Sequence, residues 1–74
     1  MAQFTVNGDI LEKCIPTEGE VDITVPYGIT VIGRDALCGL QSVISVTLPD
    51  SLKVICDGAF YGCSSLISVT LPQS

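Results

Sequence analysis

Residues 46–72 read VTLPDSLKVICDGAFYGCSSLISVTLP, a stretch that opens and closes on the same four residues. Val46-Thr47-Leu48-Pro49 returns 23 residues later as Val69-Thr70-Leu71-Pro72, and 23 residues earlier stands Ile23-Thr24-Val25-Pro26. Laid over each other, residues 23–45 and 46–68 match without a gap. The identical pairs are Thr24/Thr47, Pro26/Pro49, Val31/Val54, Ile32/Ile55, Ala36/Ala59, Gly39/Gly62, Ser42/Ser65, Ile44/Ile67 and Ser45/Ser68, which is 9 positions of 23. Val25/Leu48, Ile29/Leu52, Leu37/Phe60, Leu40/Cys63 and Val43/Leu66 keep apolar character without identity. A fixed period of this length is the mark of a repeat architecture, in which each unit buries its apolar face against the next.

The pattern inside one period has a physical reading. Val69 and Leu71 alternate with Ser68 and Thr70, and Val46 and Leu48 alternate with Ser45 and Thr47. That spacing puts the aliphatic residues on one face of a strand and the hydroxyls on the other. Pro49 and Pro72 end the strand, because proline has no N–H for a ladder. Asp50-Ser51 begins a turn, and Leu52, Val54 and Ile55 predict a second short extended segment. Asp57 to Gly62 predicts one helical turn, capped by Asp57 and closed by Gly62. The expected fold class is a mainly β repeat solenoid, a right-handed leucine-rich-repeat-like coil with a parallel sheet and short helical turns.

Residues 1–21 stand outside the period. Phe4 to Leu11 alternate around Asn7-Gly8, the signal of a two-residue β-hairpin, and Pro16 to Glu20 read as a loop. A repeat stack would expose core at its first coil, so this segment is expected to form an N-terminal hairpin cap. The resulting division is a cap over residues 1–21 and repeats over 22–74, as 23–45, 46–68 and a partial copy 69–74.

Composition narrows the function classes. The chain has 74 residues and is 47% hydrophobic, with 5% aromatic residues and no Trp, so its apolar mass is aliphatic. It has no His, which removes His-based acid/base chemistry, a Ser-His-Asp triad and a His-containing zinc site. Three basic residues against eight acidic ones give a net charge of −5. That balance argues against nucleic acid and against a polybasic membrane anchor. The charge is uneven. Residues 1–22 hold Asp9, Glu12, Glu18, Glu20 and Asp22 against Lys13, a net −4, while residues 36–74 hold Asp50 and Asp57 against Lys53, a net −1. The first ten residues lack a basic start and an apolar run of signal-peptide length, and no stretch approaches the ~20 apolar residues of a transmembrane helix. A soluble chain is expected, either intracellular or cut from something larger. No membrane insertion is expected, and its compartment is not written in these residues.

The run over residues 46–71 resembles the BspA-like, Treponema-type leucine-rich repeat of bacterial and protozoan surface proteins. The residues that carry the resemblance are Leu48-Pro49, Ser51-Leu52, Ile55, Ala59-Phe60, Gly62-Cys63 and Leu66. The preceding copy keeps the family glycine at Gly33 but has Leu37 for Phe and Leu40 for Cys, and Cys56 stands where the family usually has Gly. The resemblance covers residues 22–74. It implies a curved parallel solenoid, a role in adhesion or protein recognition, no catalytic activity, and a place at the cell surface or outside the cell as part of a longer protein.

Candidate chemistry is sparse. The four cysteines, Cys14, Cys38, Cys56 and Cys63, never share a repeat position on successive copies, so stacked rungs offer no natural bridge, and no CxxC is present. They read as structural thiols. A disulfide at Cys14 is the alternative, and redox or metal function is remote. Carboxylates fall on different expected turns, and no phosphate-cradling glycine loop is present, so no enzyme, cofactor or metal site is expected. The best candidate surface is the outward face of the repeated strand. There Thr24, Thr47 and Thr70 form one row and Asp22, Ser45 and Ser68 another, with Tyr61 (and Tyr27) on turns. A solvated sheet face accounts for the same rows. The expected partner is a protein of unknown identity or a second copy. The apolar residues Val69 and Leu71 would lie at an uncapped end. Either the chain belongs to a longer array, or isolated chains form a homo-oligomer through that end.

Overall fold

A computed structural model of the protein describes residues 1–71. The described chain is built from seven strands: β1 (Gln3–Asn7), β2 (Ile10–Ile15), β3 (Asp22–Thr24), β4 (Val31–Ile32), β5 (Ser45–Thr47), β6 (Val54–Ile55) and β7 (Ser68–Thr70). They form two sheets, one in the order β1-β2-β4-β6 and the other in the order β3-β5-β7. Every pairing is parallel except that of the hairpin β1–β2.

The 23-residue period is the register of both sheets. In one, Asp22 pairs with Ser45 and Ser45 with Ser68, Ile23 with Val46 and Val46 with Val69, Thr24 with Thr47 and Thr47 with Thr70. In the other, Val31 pairs with Val54 and Ile32 with Ile55. Each period therefore contributes one strand to each sheet, as the alternation at Val46–Leu48 and the second apolar segment at Val54-Ile55 predict. The aliphatic residues between the sheets make the core. Ile23, Val25, Ile29, Ile32, Leu37, Val43, Val46 and Leu48 are buried, with Leu11, Cys14, Ala36 and Ala59 beside them.

The N-terminal hairpin forms, with two differences from the sequence reading. Asn7 pairs with Ile10, so the two-residue loop is Gly8-Asp9 rather than Asn7-Gly8, and a bulge shifts the register between Thr5 and Val6. Gly8 has φ +64°, the left-handed geometry that a glycine supplies at the first central position of a II′ turn. The second difference concerns β2, which lies inside the repeat sheet. Ile10 pairs with Val31 and Leu11 with Ile32, in parallel. Further along, the Cys14 N–H donates to the Ala36 carbonyl at 3.0 Å, just as the Leu37 N–H donates to the Ala59 carbonyl at 2.9 Å. Cys14 thus takes the place that Leu37 holds in the next rung. The offset is 21 residues at Ile10/Val31 and 23 at Cys14/Leu37, because β2 runs straight through a stretch where the later rungs spend two more residues on a turn.

The short helical turns do not form; no helix occurs among the described residues. The segments after β4 and β6 are both turns, and after β4 a reason is visible in the hydrogen bonds. The N–H groups of Ala36 and Cys38 close single turns onto Gly33 and Asp35, but those of Leu37 and Gly39 leave for Ala59 and Tyr61 in the next rung, at 2.9 and 2.7 Å. A helix would need all four donors for itself. Left-handed backbone interrupts the segment as well, at Asp35 (φ 59°) and at its repeat equivalent Gly58 (φ 72°). Asp57 accordingly caps no helix, and Gly62 closes a turn.

Candidate surface and its open edge

The repeated strand places the hydroxyl rows as the alternation demands. Thr24, Thr47 and Thr70 are exposed and in register on the outer face of the β3-β5-β7 sheet. Beside them run Asp22, Ser45 and Ser68, of which Ser45 is half-buried. The Ser45 hydroxyl donates to Asp22 Oδ1 at 2.5 Å, so the first two members of that row are occupied with each other. Successive members lie one inter-strand step apart, about 4.8 Å. Tyr61 lies apart from this face, exposed on the turn after β6, and its carbonyl accepts the Gly39 N–H at 2.7 Å. The rows are assembled by the sheet; Tyr61 is not brought into the sheet with them.

A second surface was not legible as a row in the sequence. On the other sheet, Leu11 and Ile32 point inward and are buried, so Ile10, Val31 and Val54 line the outer face, where Ile10 and Val54 are exposed and Val31 half-buried. The signal was the dipeptide series Ile10-Leu11, Val31-Ile32, Val54-Ile55, hidden because its first step is 21 residues instead of 23.

The sheet ends at β6 and β7 are unlike their interiors. Ile32 has no exposed surface while its equivalent Ile55 is 42% exposed, and Leu48 is 4% exposed while Leu71 is 61% exposed. Val69 is half-buried where Ile23 and Val46 are buried. The residue is the same within the pairs Ile32/Ile55, Leu48/Leu71 and Val46/Val69, and the buried member of each is the one with a further rung stacked on it, whereas Ile23 is buried on the edge strand β3 without one. The backbone tells the same story. Just after β5 the Leu48 N–H donates to the Thr70 carbonyl at 3.1 Å, and in β7 the Ser68 N–H turns back to the Ile44 carbonyl at 3.3 Å. Ser68 and Thr70 therefore face β5, and by alternation the N–H and C=O of Val69 face away from it.

The chain is matched over residues 10–74 by the family model described as "BspA type Leucine rich repeat region (6 copies)". It belongs to the BspA-type leucine-rich repeat family. No curated protein and no solved structure matches it. The matched span begins at β2, the strand that joins the hairpin to the repeat sheet. As a BspA-type repeat chain it has a strand-rich architecture with parallel sheets, and such repeats are protein-interaction modules.

The cysteines of this repeat chain are all free thiols. Cys14 is buried, Cys38 exposed, and Cys56 and Cys63 half-buried. Burial, with a smaller contribution from the Glu20 carboxylate, pushes the Cys14 thiol up from 9.0 to about 11. It is a protonated core group, the opposite of an activated thiolate. The Cys63 thiol donates to the Leu37 carbonyl at 2.9 Å, tying two rungs together. Among the described residues, no group of three or more Cys, Asp or Glu could hold a metal ion, and no helix is long and apolar enough to cross a membrane.

Proposed function

We propose that the protein is a non-catalytic recognition module, a stretch of right-handed solenoid from an adhesion or protein-recognition protein of the cell surface. Its binding face would be the outer side of the β3-β5-β7 sheet. The observation that carries this reading is the in-register exposure of Thr24, Thr47 and Thr70 beside Ser45 and Ser68 in a chain of an interaction-repeat family. A flat hydroxyl surface offers donors and acceptors at a fixed spacing, the kind of extended surface that stacked repeats use for protein partners. Tyr61 contributes at most a separate contact from its turn.

The test is capture of a protein partner by the immobilised chain, followed by identification and measurement with the purified partner. Thr47→Lys with Thr70→Lys places two long cations on the face without touching the core. The reading expects at least a tenfold loss of partner affinity with unchanged circular dichroism and unchanged oligomeric state. Unaltered affinity in that variant removes the hydroxyl rows as the site.

A second reading is that the repeats serve self-assembly, through the end formed by β6 and β7. It is favoured by the exposure of Ile55 and Leu71 where Ile32 and Leu48 are buried. Sedimentation of the 74-residue chain across micromolar to millimolar concentration tests it, and a monomer throughout refutes it.

A further inference from the structure

We infer that the outer face of the β3-β5-β7 sheet takes a basic, amphipathic helix of a partner protein, laid across the strands along the row Val21, Ile44 and Ile67. The inference rests on the reading of that face as the binding surface and names the class of its partner.

Val21, Ile44 and Ile67 share one repeat position, immediately before β3, β5 and β7. The Ile44 N–H donates to the Val21 carbonyl at 2.6 Å and the Ile67 N–H to the Ile44 carbonyl at 2.9 Å, so the three are stacked rung on rung. All are exposed, at 40%, 40% and 84%. Ile44 has a rung on each side and is still exposed, so its openness belongs to the repeat position, whatever follows β7. The row runs beside Asp22, Ser45 and Ser68 and gives the hydroxyl face an aliphatic border. Two rung steps cover about 9.6 Å. Side chains seven residues apart on one face of a helix are about 10.5 Å apart along its axis. On a strand, the first and third of three same-face side chains are about 13 Å apart. A helix laid across the rungs therefore keeps one aliphatic residue of an i, i+3 or i+4, i+7 stripe against each of the three. An extended segment loses register by about 4 Å over the same distance.

Side-chain charge is divided between the two sheets as well as along the chain. Glu20 just before β3, Asp22 on β3 and Asp50 on the turn after β5 flank the hydroxyl face, and no Lys or Arg stands with them. The three basic residues all belong to the other sheet: Lys13 on β2, Arg34 just after β4 and Lys53 just before β6, among Asp9, Glu12, Asp35 and Asp57. Three acids alone give the first group net −3, four acids against three bases give the second net −1, and Glu18 on the loop joining the sheets completes the −5. A second copy is thus a poor occupant of this face, because even its less acidic sheet is negative. A different protein that sets Lys or Arg beside its aliphatic stripe is attracted, and the charge selects it over an acidic competitor.

The experiment is a nuclear magnetic resonance titration of the isotope-labelled 74-residue chain with three designed peptides of about 18 residues, long enough to form a helix. The first is built of leucine and lysine, with leucines at i, i+3, i+4 and i+7. The second has the same composition in strict alternation, which favours a strand. The third is the first with glutamate for lysine. The helical lysine peptide should bind at least about tenfold more tightly than either of the others, shift the amides of residues 21–24, 44–47 and 67–70, and weaken as salt is added. Ile44→Asn on the row and Asp50→Lys on its exposed turn should each lower that affinity about fivefold or more, with unchanged circular dichroism. Val54→Asn on the other sheet should leave it unaltered. Tighter binding of the alternating peptide, equal binding of the glutamate peptide, or shifts confined to Ile10, Val31 and Val54 overturn the inference. If the lysine helix does not bind this face but Thr47→Lys with Thr70→Lys still weakens the purified natural partner, the helix is wrong while the face remains the binding surface. If that variant leaves the natural partner unaffected, both readings fall.

Discussion

Ile32 and Ile55 occupy the same position in successive rungs, pair with each other across β4 and β6, and differ chiefly in what lies beyond them. Ile32 has a strand on both sides, β2 and β6, and no exposed surface, whereas Ile55 has a strand on one side and is 42% exposed. Truncating each to Val removes one methylene. In a closed core that change costs about 0.5–1.5 kcal/mol, as lost transfer energy plus the cavity left behind. For Ile32→Val the site cannot collapse, since β2 and β6 hold both flanks, so a cost near 1 kcal/mol is expected. For Ile55→Val a large part of the side chain is already in water and the vacated space is filled by solvent, so about half of the transfer term and little of the cavity term survive, near 0.4 kcal/mol. Urea unfolding followed by circular dichroism resolves the two. With a slope of about 1 kcal/mol/M for so small a chain, the midpoints should fall by about 1 M and about 0.4 M. The measurement belongs at protein concentrations where sedimentation gives a monomer. Equal costs would refute the burial difference between Ile32 and Ile55.

Gly33 makes a different demand. A Cβ there would lie 2.8 Å from the Leu11 carbonyl oxygen, which accepts the Gly33 N–H. Gly33→Ala should therefore destabilise by about 1–2 kcal/mol in urea, while Cys56→Ala, at the equivalent place one rung on, should cost less than half of that. Asp35 sits at φ 59° where the next rung uses Gly58, so Asp35→Gly should be neutral or stabilising by up to about 1 kcal/mol, and Asp35→Val should destabilise by about 2 kcal/mol, read as thermal midpoints. The Cys14 thiol is raised from 9.0 to about 11. Its protonated form is the one that fits the fold, so this contribution is complete below pH 9 and is lost as pH rises toward 11. Cys14→Val should flatten the stability profile over that window. Alkylation with iodoacetamide followed by mass spectrometry should modify exposed Cys38 first and buried Cys14 last, and early labelling of Cys14 would contradict its burial.

The division of labour between sequence and structure can be seen in single residues. The pairing Val46↔Val69 was legible in the sequence, because a 23-residue offset that conserves apolar alternation leaves one register that stacks each inward aliphatic residue on its repeat equivalent. The helical turn at Asp57–Gly62 was legible only as a local propensity, and it does not form: Gly58 is left-handed, and the Ala59 and Tyr61 carbonyls accept from Leu37 and Gly39 of the preceding rung, bonds that a single repeat cannot display. The rows of Thr24, Thr47 and Thr70 followed from the register. The outer row of Ile10, Val31 and Val54 did not, because its first member belongs to a strand two residues out of period.

The period, the parallel pairing of the repeated strands, the inward and outward faces of Ile23, Val46 and Val69, and the lack of any histidine are readable from the residues alone. These depend on identity and spacing, which are local and repeated. It took the folded chain to show that β2 is the first parallel strand of the repeat sheet, that the hairpin loop sits at Gly8-Asp9, that no helix forms among the described residues, and that Ile55 and Leu71 face water while Ile32 and Leu48 do not. Those outcomes depend on which neighbour takes each backbone donor and which rung covers each side chain. A residue's own identity carries no record of its neighbour one rung away.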